Sequence, residues 1–426
     1  WTKYLPISGL SEVVDILPIG KENEAGERGF VLLANMSKAG ARANFWLGFF
    51  DANGKLLKQK SITDENFDLK ANDIQFQIDK KGFMVPVTAM FSTGEGKQKA
   101  TRQNAVVYTL DVNGNELSSN AFILGGNNEL TSLAVSKNEG KEVGYIATGW
   151  FENDFGKRKG WLLNLHKNLS VLWQREFSRG KSAKLVDVVT DKNGHYVAAG
   201  HIEAMGEWPH AAWLMSVDAD GGELLWQRYY YGETGNHDYS PIGLLSDGNT
   251  ITLAMQARYN GERKDVVFIT EEEEQEVSAV SEDVDYVHFL TLNLRGVTLS
   301  GDSYMTGYGL NVHNISPIYG SRVLMSGVTR VTAEDIFKKK AREEGGANPP
   351  LQEPSVSVTL PEVEMSDKAK AGLAKLRNNI NAQQHSGDKN GQKRSDQDDL
   401  AESIELTDNG WVGIADAPKA YNDPCR

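Results

Sequence analysis

One eight-residue phrase recurs along this chain and limits what it can fold into. It reads Phe50-Asp51-Ala52-Asn53-Gly54-Lys55-Leu56-Leu57, then Leu110-Asp111-Val112-Asn113-Gly114-Asn115-Glu116-Leu117. A third copy, Leu165-His166-Lys167-Asn168-Leu169-Ser170-Val171-Leu172, lacks the Asp and the Gly. Val217-Asp218-Ala219-Asp220-Gly221-Gly222-Glu223-Leu224 and Leu292-Asn293-Leu294-Arg295-Gly296-Val297-Thr298-Leu299 complete the series. In a tight hairpin an Asp or Asn side chain folds onto the local backbone, and Gly takes the φ > 0 position that closes the turn. Equivalent positions are 60, 55, 52 and 75 residues apart.

Each turn is preceded by an apolar strand: Phe45–Phe49, Ala105–Thr109, Gly160–Asn164, Ala212–Ser216 and His288–Thr291. Further upstream lie near-continuous apolar runs, Gly29–Ala34, Gly82–Val87, Gly144–Gly149, His195–Gly200 and Thr250–Ala254, with a sixth at Ser321–Gly327. Runs of this kind suit strands covered on both faces. Pro86 interrupts one of them and predicts a bulge or distortion there. Leu172-Trp173-Gln174-Arg175 and Leu225-Trp226-Gln227-Arg228 bracket one full unit of four short strands.

A four-stranded unit of this length is the size of a propeller blade. The expected fold is therefore an all-β, six-bladed β-propeller. Gly410-Trp411-Val412-Gly413 supplies the third strand of the last copy, and the chain ends soon after it. Trp1–Asp15 aligns with Trp173–Asp187. The N-terminal strand is thus expected to complete the last blade, which would leave no open strand edge. The blades occupy residues 1–331, an insertion 332–403, and the closing strand and tail 404–426.

Two stretches break the period. Residues 271–285 carry eight acidic side chains and no basic one. A solvated loop is the plain reading; the alternative is a calcium or basic-partner site at Glu271, Glu272, Glu273, Glu274 and Glu276. In 332–403, Thr332-Ala333-Glu334-Asp335 can cap a short helix containing Ile336 and Phe337. A Pro-containing extended piece follows. A second helix would carry Leu373, Leu376 and Ile380 on one face, and 383–399 reads as polar and disordered. Such an insertion is either a tether to a partner or an inert loop.

The unit W-Q-R-x-[FY]…D-x-x-G-x-[YV]…A-G…[AG]-W-L…[LV]-D-x-x-G…L-W-Q-R resembles the secreted bacterial β-propeller repeats of envelope and surface proteins. More distantly it is similar to the quinoprotein-like and Asp-box repeats. The resemblance covers residues 1–330 and the last twenty or so. It implies the fold and an exported location, and little chemistry.

Composition narrows the partners. A net charge of −13 argues against nucleic acid, which calls for clustered Lys and Arg. No apolar run approaches the roughly 20 residues needed for a membrane-spanning helix. A chain that begins at Trp1 rather than Met points to a removed leader or to a trimmed end. The single Cys425 excludes an internal disulfide framework.

Catalytic signals are sparse. A quinoprotein site needs eight blades, and Arg102, Arg158, Arg175, Arg228 and Arg258 show no shared pattern for a sialidase-like centre. None of the eight histidines has a short zinc-ligand spacing. His201 and His210 could converge with Glu203 or Glu207, although a loop surface is the plainer reading. Trp46, Trp161, Trp213 and Trp411 recur at one repeat position and Trp1, Trp173 and Trp226 at another, as packing residues would. Trp150, Phe151, Phe155 and Trp208 fall off the repeat and suit an exposed rim for a protein or glycan. The expected function is that of an exported, non-enzymatic protein-binding or scaffold subunit of a cell-envelope or extracellular assembly. It needs no cofactor, with calcium the one cation considered. The alternative is a hydrolase-like or quinoprotein-like enzyme, or a small-ligand or glycan binder, at the central channel mouth.

Overall fold

The computed structural model describes residues 2–4, 10–20, 29–38, 40–93, 100–124, 126–138, 141–205, 208–230, 237–259, 286–305, 310–317, 322–329 and 409–416. All regular structure among them is β. After β1 (Thr2–Tyr4), the strands β2 (Leu10–Ile19), β3 (Gly29–Met36), β4 (Asn44–Phe50) and β5 (Leu56–Ile62) form the first sheet. The second holds β6 (Asp68–Ala71), β7 (Gln75–Phe76), β8 (Gly82–Thr93), β9 (Ala100–Asp111) and β10 (Glu116–Phe122). The third is β11 (Asn128–Asn138), β12 (Lys141–Glu152), β13 (Arg158–His166) and β14 (Val171–Phe177). The fourth is β15 (Ser182–Thr190), β16 (Tyr196–Met205), β17 (Trp208–Val217) and β18 (Leu224–Tyr230). The fifth is β19 (His237–Ser246), β20 (Thr250–Tyr259), β21 (Tyr286–Asn293) and β22 (Thr298–Met305). These are the blades of a β-propeller, each with neighbouring strands joined by hairpin turns.

Five blades of consecutive strands are shown, not the six expected from the repeat count. The sixth copy is not contiguous. β23 (Leu310–Pro317), β24 (Arg322–Thr329), β25 (Asn409–Asp416) and β1 form one sheet in the order β1-β25-β24-β23. Residues 330–408 intervene between two of its strands, and a third comes from the other end of the chain. The helices expected at Ile336, Phe337, Leu373, Leu376 and Ile380 lie outside the described residues.

The first two blades fall in one compact unit and the third to fifth in another. In each unit the core sits between facing blades. Leu33, Phe45 and Leu47 of the first blade pack with Val87, Tyr108 and Leu110 of the second. In the other unit, Ile146 and Leu162 meet Leu185, Tyr196 and Trp213, and Ala199 and Leu214 meet Leu244, Leu253 and Leu292.

Polar side chains fasten the blades to one another. The register of β2 slips between Val13 and Asp15, and that of β15 between Leu185 and Asp187. Asp15 Oδ1 accepts from Ile16 N at 2.6 Å and Oδ2 from Ile74 N of the second blade at 3.3 Å. Asp187 accepts from Val188 N at 2.7 Å, from Ser132 Oγ of the third blade at 2.7 Å and from Leu244 N of the fifth at 2.6 Å. A bulge exposes unpaired backbone donors, and here the carboxylate satisfies donors on its own strand and the next blade at once.

Pro86 acts on one side only. β8 pairs with β9 without a break through Pro86 and Val107, while the strand on its other side is split into β6 and β7. Asn72 N, in the gap between them, donates to Pro86 O at 2.9 Å. A proline nitrogen offers no ladder donor, so pairing lapses on that edge.

The recurrent tryptophans pack as their period implies. Trp46, Trp161 and Trp213 are buried. Trp46 Nε1 donates to Gln59 Oε1 at 3.0 Å, and Trp161 Nε1 to Gln174 Oε1 at 3.2 Å. Trp173 and Trp226 each reach the third-to-fourth-strand turn of the following blade, donating to Ala219 O and Leu294 O, both at 2.9 Å. Lys58 holds that position in the first blade, and its Nζ donates to Asn113 Oδ1 at 2.8 Å.

Candidate functional site

The turn chemistry positions one side chain in the same way in every blade. Asp51 Oδ1 accepts from Asn53 N and Lys55 N, both at 2.9 Å, and Asp111 Oδ1 from Asn113 N and Asn115 N, both at 2.8 Å. Immediately after the turn the fourth strand bulges. Phe50 pairs with Leu56 but Phe49 with Lys58, so Leu57 is the extra residue. The same slip leaves Leu117, Leu172, Leu225 and Leu299 as the extra residues of the other four blades. They are 62%, 47%, 59%, 47% and 55% exposed, in chain order. Neighbouring repeat positions vary freely: Leu56, Glu116, Val171, Leu224 and Thr298 before, and Lys58, Ser118, Trp173, Trp226 and Ser300 after. The bulge leucine does not vary.

A polar cluster joins the fourth and fifth blades. Strand register sets His201 opposite Lys184 and Ala212, and Glu203 opposite His210. Alternation along a strand puts all of these on one face. The imidazoles of His201 and His210 stack, with ring centroids 5.0 Å apart. Both residues lie in strands rather than in a loop, and Glu207 lies outside the described residues. Burial, then the Lys184 charge and His210, pull the His201 pKa down to about 4. From the fifth blade, Asp238 Oδ2 stands 3.9 Å from His210 Nε2. His210 Nδ1 and Asp238 Oδ1 are buried without hydrogen-bond partners among the described residues.

Within the fifth blade Tyr239 stacks on His288, with 5.5 Å between centroids and a 9° interplanar angle. Its hydroxyl lies 3.4 Å from His288 Nε2, and Ser303 Oγ lies 2.6 Å from His288 Nδ1. A hydroxyl bonded to an imidazole that a third group orients is the geometry of base-activated nucleophiles. Side chains on directly opposed strands make the same bond for packing alone. Among the described residues no group of three or more His, Cys, Asp or Glu side chains is arranged to hold a metal ion.

The off-repeat aromatics differ in exposure where their side chains are described. Trp150 is only 6% exposed, with the Arg158 guanidinium 4.5 Å above its ring. Phe151 is half-buried against Trp161, with 6.3 Å between centroids. Phe155 is 93% exposed at the β12–β13 turn, where Asn153 Oδ1 accepts from Phe155 N and Lys157 N at 3.1 and 3.0 Å. Trp208 opens β17, its backbone paired with Met205. The acidic stretch Glu271, Glu272, Glu273, Glu274 and Glu276 lies outside the described residues, as does Cys425. The bulge leucines were missed in the sequence because a strand residue's exposure depends on register. Their fixed place six residues after the turn's first position, seven in the fourth blade, was the signal available.

No protein-family model matches the sequence, and no curated protein sequence does. Among solved structures, the chain is similar to an α-L-arabinofuranosidase from Lactobacillus brevis at 12% identity and a TM-score of 0.40, covering 67% of this chain and 93% of that one. The β-propeller domain of the Trilobed protease from Pyrococcus furiosus aligns at 12% identity and a TM-score of 0.35, over 75% of this chain and 90% of that one. A member of the duf4221 family from Bacteroides vulgatus aligns at 9% identity and a TM-score of 0.36, over 76% and 92%. Likenesses of this size say nothing of activity. The class defined by the sheets and turns is the β-propeller. Among the described residues no helix is long and apolar enough to cross a membrane.

Proposed function

We propose that this protein is a non-enzymatic binding or scaffold subunit that grips a partner protein through the bulged fourth strands of its blades. The observation that carries this reading is the exposed leucine kept at one bulge position in all five blades. A residue about half exposed stabilises the fold little, and surface replacements of this kind typically change stability by under about 0.5 kcal/mol. Its retention while the turn's own Asp and Gly are lost in the third copy fits a role in contact rather than in folding. The test replaces Leu57, Leu117, Leu225 and Leu299 with Ser and isolates the protein from its source under mild conditions. A co-purifying protein lost from this variant, with thermal stability kept, supports the reading. Unchanged co-purification overturns it.

Two finer points belong to the same proposal. The composite sheet serves as a sixth blade closed by β1, supported by the β1-β25 pairing and by the alignment of Trp1–Asp15 with Trp173–Asp187. Deleting residues 1–4 would then lower the unfolding temperature, and an unchanged temperature would refute closure. The protein is exported, supported by the repeat resemblance; fractionation of source cells that finds it in the cytoplasm would refute this.

A second reading is favoured by the Ser303–His288–Tyr239 contact, which suits a small-ligand or hydrolase-like site. Ester turnover abolished by Ser303→Ala would support it. Turnover that is undetectable, or unaffected by that change, would exclude it.

A further inference from the structure

The third copy of the turn departs most from the repeat, and its departures border a cavity of about 800 Å³ between the third and fourth blades. In the other four copies an Asp or Asn at the first turn position caps the turn: Asp51, Asp111, Asp218 and Asn293. In the third copy that place is His166, and the capping has moved to Asn168, whose Oδ1 accepts from Ser170 N at 3.1 Å and from Ser170 Oγ at 2.8 Å. The His166 imidazole leaves the turn's backbone but stays tied to the new cap, with Nδ1 3.1 Å from Asn168 Oδ1, and it borders the cavity, where Nε2 is the ring nitrogen left to meet a ligand.

The cavity floor is preorganised. Trp173 Nε1 and Asn164 Nδ2 both donate to Ala219 O, at 2.9 and 3.2 Å, and Tyr196 OH lies 2.6 Å from Ser136 Oγ. Trp173 and Tyr196 contact one another with 6.1 Å between ring centroids. Asn193, His195 and Asp220 add polar lining, and the wall carries both acidic (Glu142, Asp218, Asp220) and basic (Lys137, Lys167) side chains. This volume is within the range of small-molecule sites. One partly exposed indole, amide and imidazole groups and a mixed charge suit a ligand that is polar, uncharged and rich in hydroxyls with an apolar face.

We propose that the crevice between the third and fourth blades binds a neutral carbohydrate, packed against the partly exposed Trp173, which buried Tyr196 supports from beneath, and hydrogen-bonded by His166, Asn193 and Asp220. The inference goes beyond the protein-binding reading and does not rest on it. It places a ligand site between two blades rather than at a channel mouth.

The experiment is titration of the intact protein with neutral hexasaccharides of glucose, xylose, mannose, arabinose, galactose and N-acetylglucosamine, followed by saturation-transfer NMR and tryptophan fluorescence. Saturable binding of at least one hexasaccharide is expected, weakened about tenfold or more, roughly 1.4 kcal/mol, by His166→Asp and by Asp220→Ala. Trp173→Ala should abolish it, but that change also removes a packing contact. The two polar-site variants, with thermal unfolding measured alongside, therefore decide the matter. Binding by none of the sugars, binding untouched by both polar variants, or displacement by spermidine or inorganic phosphate would overturn the proposal. Loss of a protein partner in the leucine variant leaves this result unaffected, because Leu172, which borders the crevice, is not altered there.

Discussion

Gly222 lies against the indole of Trp173, so close that a Cβ on the glycine would fall 2.7 Å from Cζ3. Gly296 meets Trp226 in the same way, also at 2.7 Å. Both glycines have φ near +70°. Alanine there would add a left-handed-backbone penalty of about 1–2 kcal/mol to an overpacking cost of about 1–3 kcal/mol. We expect Gly222→Ala and Gly296→Ala each to destabilise by about 2–5 kcal/mol. Gly40→Ala, where φ is +78° but nothing lies within 4 Å, should show the backbone part alone. Denaturant titration of the three variants measures the difference, and equal losses would disprove a packing role for the indoles.

The two matched tryptophans of the third and fourth blades should respond differently to removal of the indole N–H. Trp161 Nε1 has Gln174 as its acceptor, whereas Trp213 Nε1 is buried without one. The Gln227 carbonyl in the fourth blade accepts instead from Tyr229 OH at 2.8 Å. Trp161→Phe should therefore cost about 1–2 kcal/mol more than Trp213→Phe, by loss of a buried hydrogen bond in one case and of an unsatisfied donor in the other. Thermal or urea unfolding of the pair tests this.

Glu116 is pushed up to about 7 by burial and then by the neighbouring Asp64. Its Oε1, Asp64 Oδ2 and Tyr108 OH are buried without hydrogen-bond partners among the described residues. A carboxyl whose folded pKa lies above its unfolded value favours folding below the unfolded pKa, and that contribution is lost as pH rises through the folded one. Stability should fall between about pH 4.5 and 7 on this account. Glu116→Gln should flatten that slope and raise stability at pH 8 by about 1 kcal/mol, after allowance for the group's partial exposure. A variant with the wild-type slope would refute the assignment.

His201 carries the opposite dependence. Its folded pKa near 4 lies below the ordinary histidine value of 6.5, so its contribution is full above about 6.5 and is lost as pH falls towards 4. Its imidazole resonances should show a neutral ring at pH 5.5, while an exposed histidine is mostly protonated. Lys184→Met removes one of the causes and should raise the midpoint. A midpoint near 6.5 in the unaltered protein would contradict the burial of this ring.

Much of the architecture could be read from local chemistry. An Asp or Asn turn closes within five residues on its own backbone, so its recurrence marks the hairpins without any tertiary information. Hydrophobic runs located the strands between them, and the period of Trp46, Trp161 and Trp213 marked them as core. Leu169 shows the limit of that reading. It lacks the turn's glycine, yet it holds the same left-handed conformation at φ 66°, with its side chain buried. A burial gain of roughly 1.5–3 kcal/mol offsets a backbone cost of about 1–2 kcal/mol.

By itself, then, the sequence determined the unit: its turns, its strand lengths, its packing tryptophans and the interruption after residue 330. Tertiary structure alone decided what each unit presents. Strand register made Leu57, Leu117, Leu172, Leu225 and Leu299 the bulged, exposed residues, and it brought His201 against His210. Packing buried Trp150, for which the sequence suggested exposure, and it set Asp15 and Asp187 between blades. The reason is one of range. A turn is settled by neighbours along the chain, whereas exposure and side-chain company depend on partners fifty or more residues away, which no local pattern specifies.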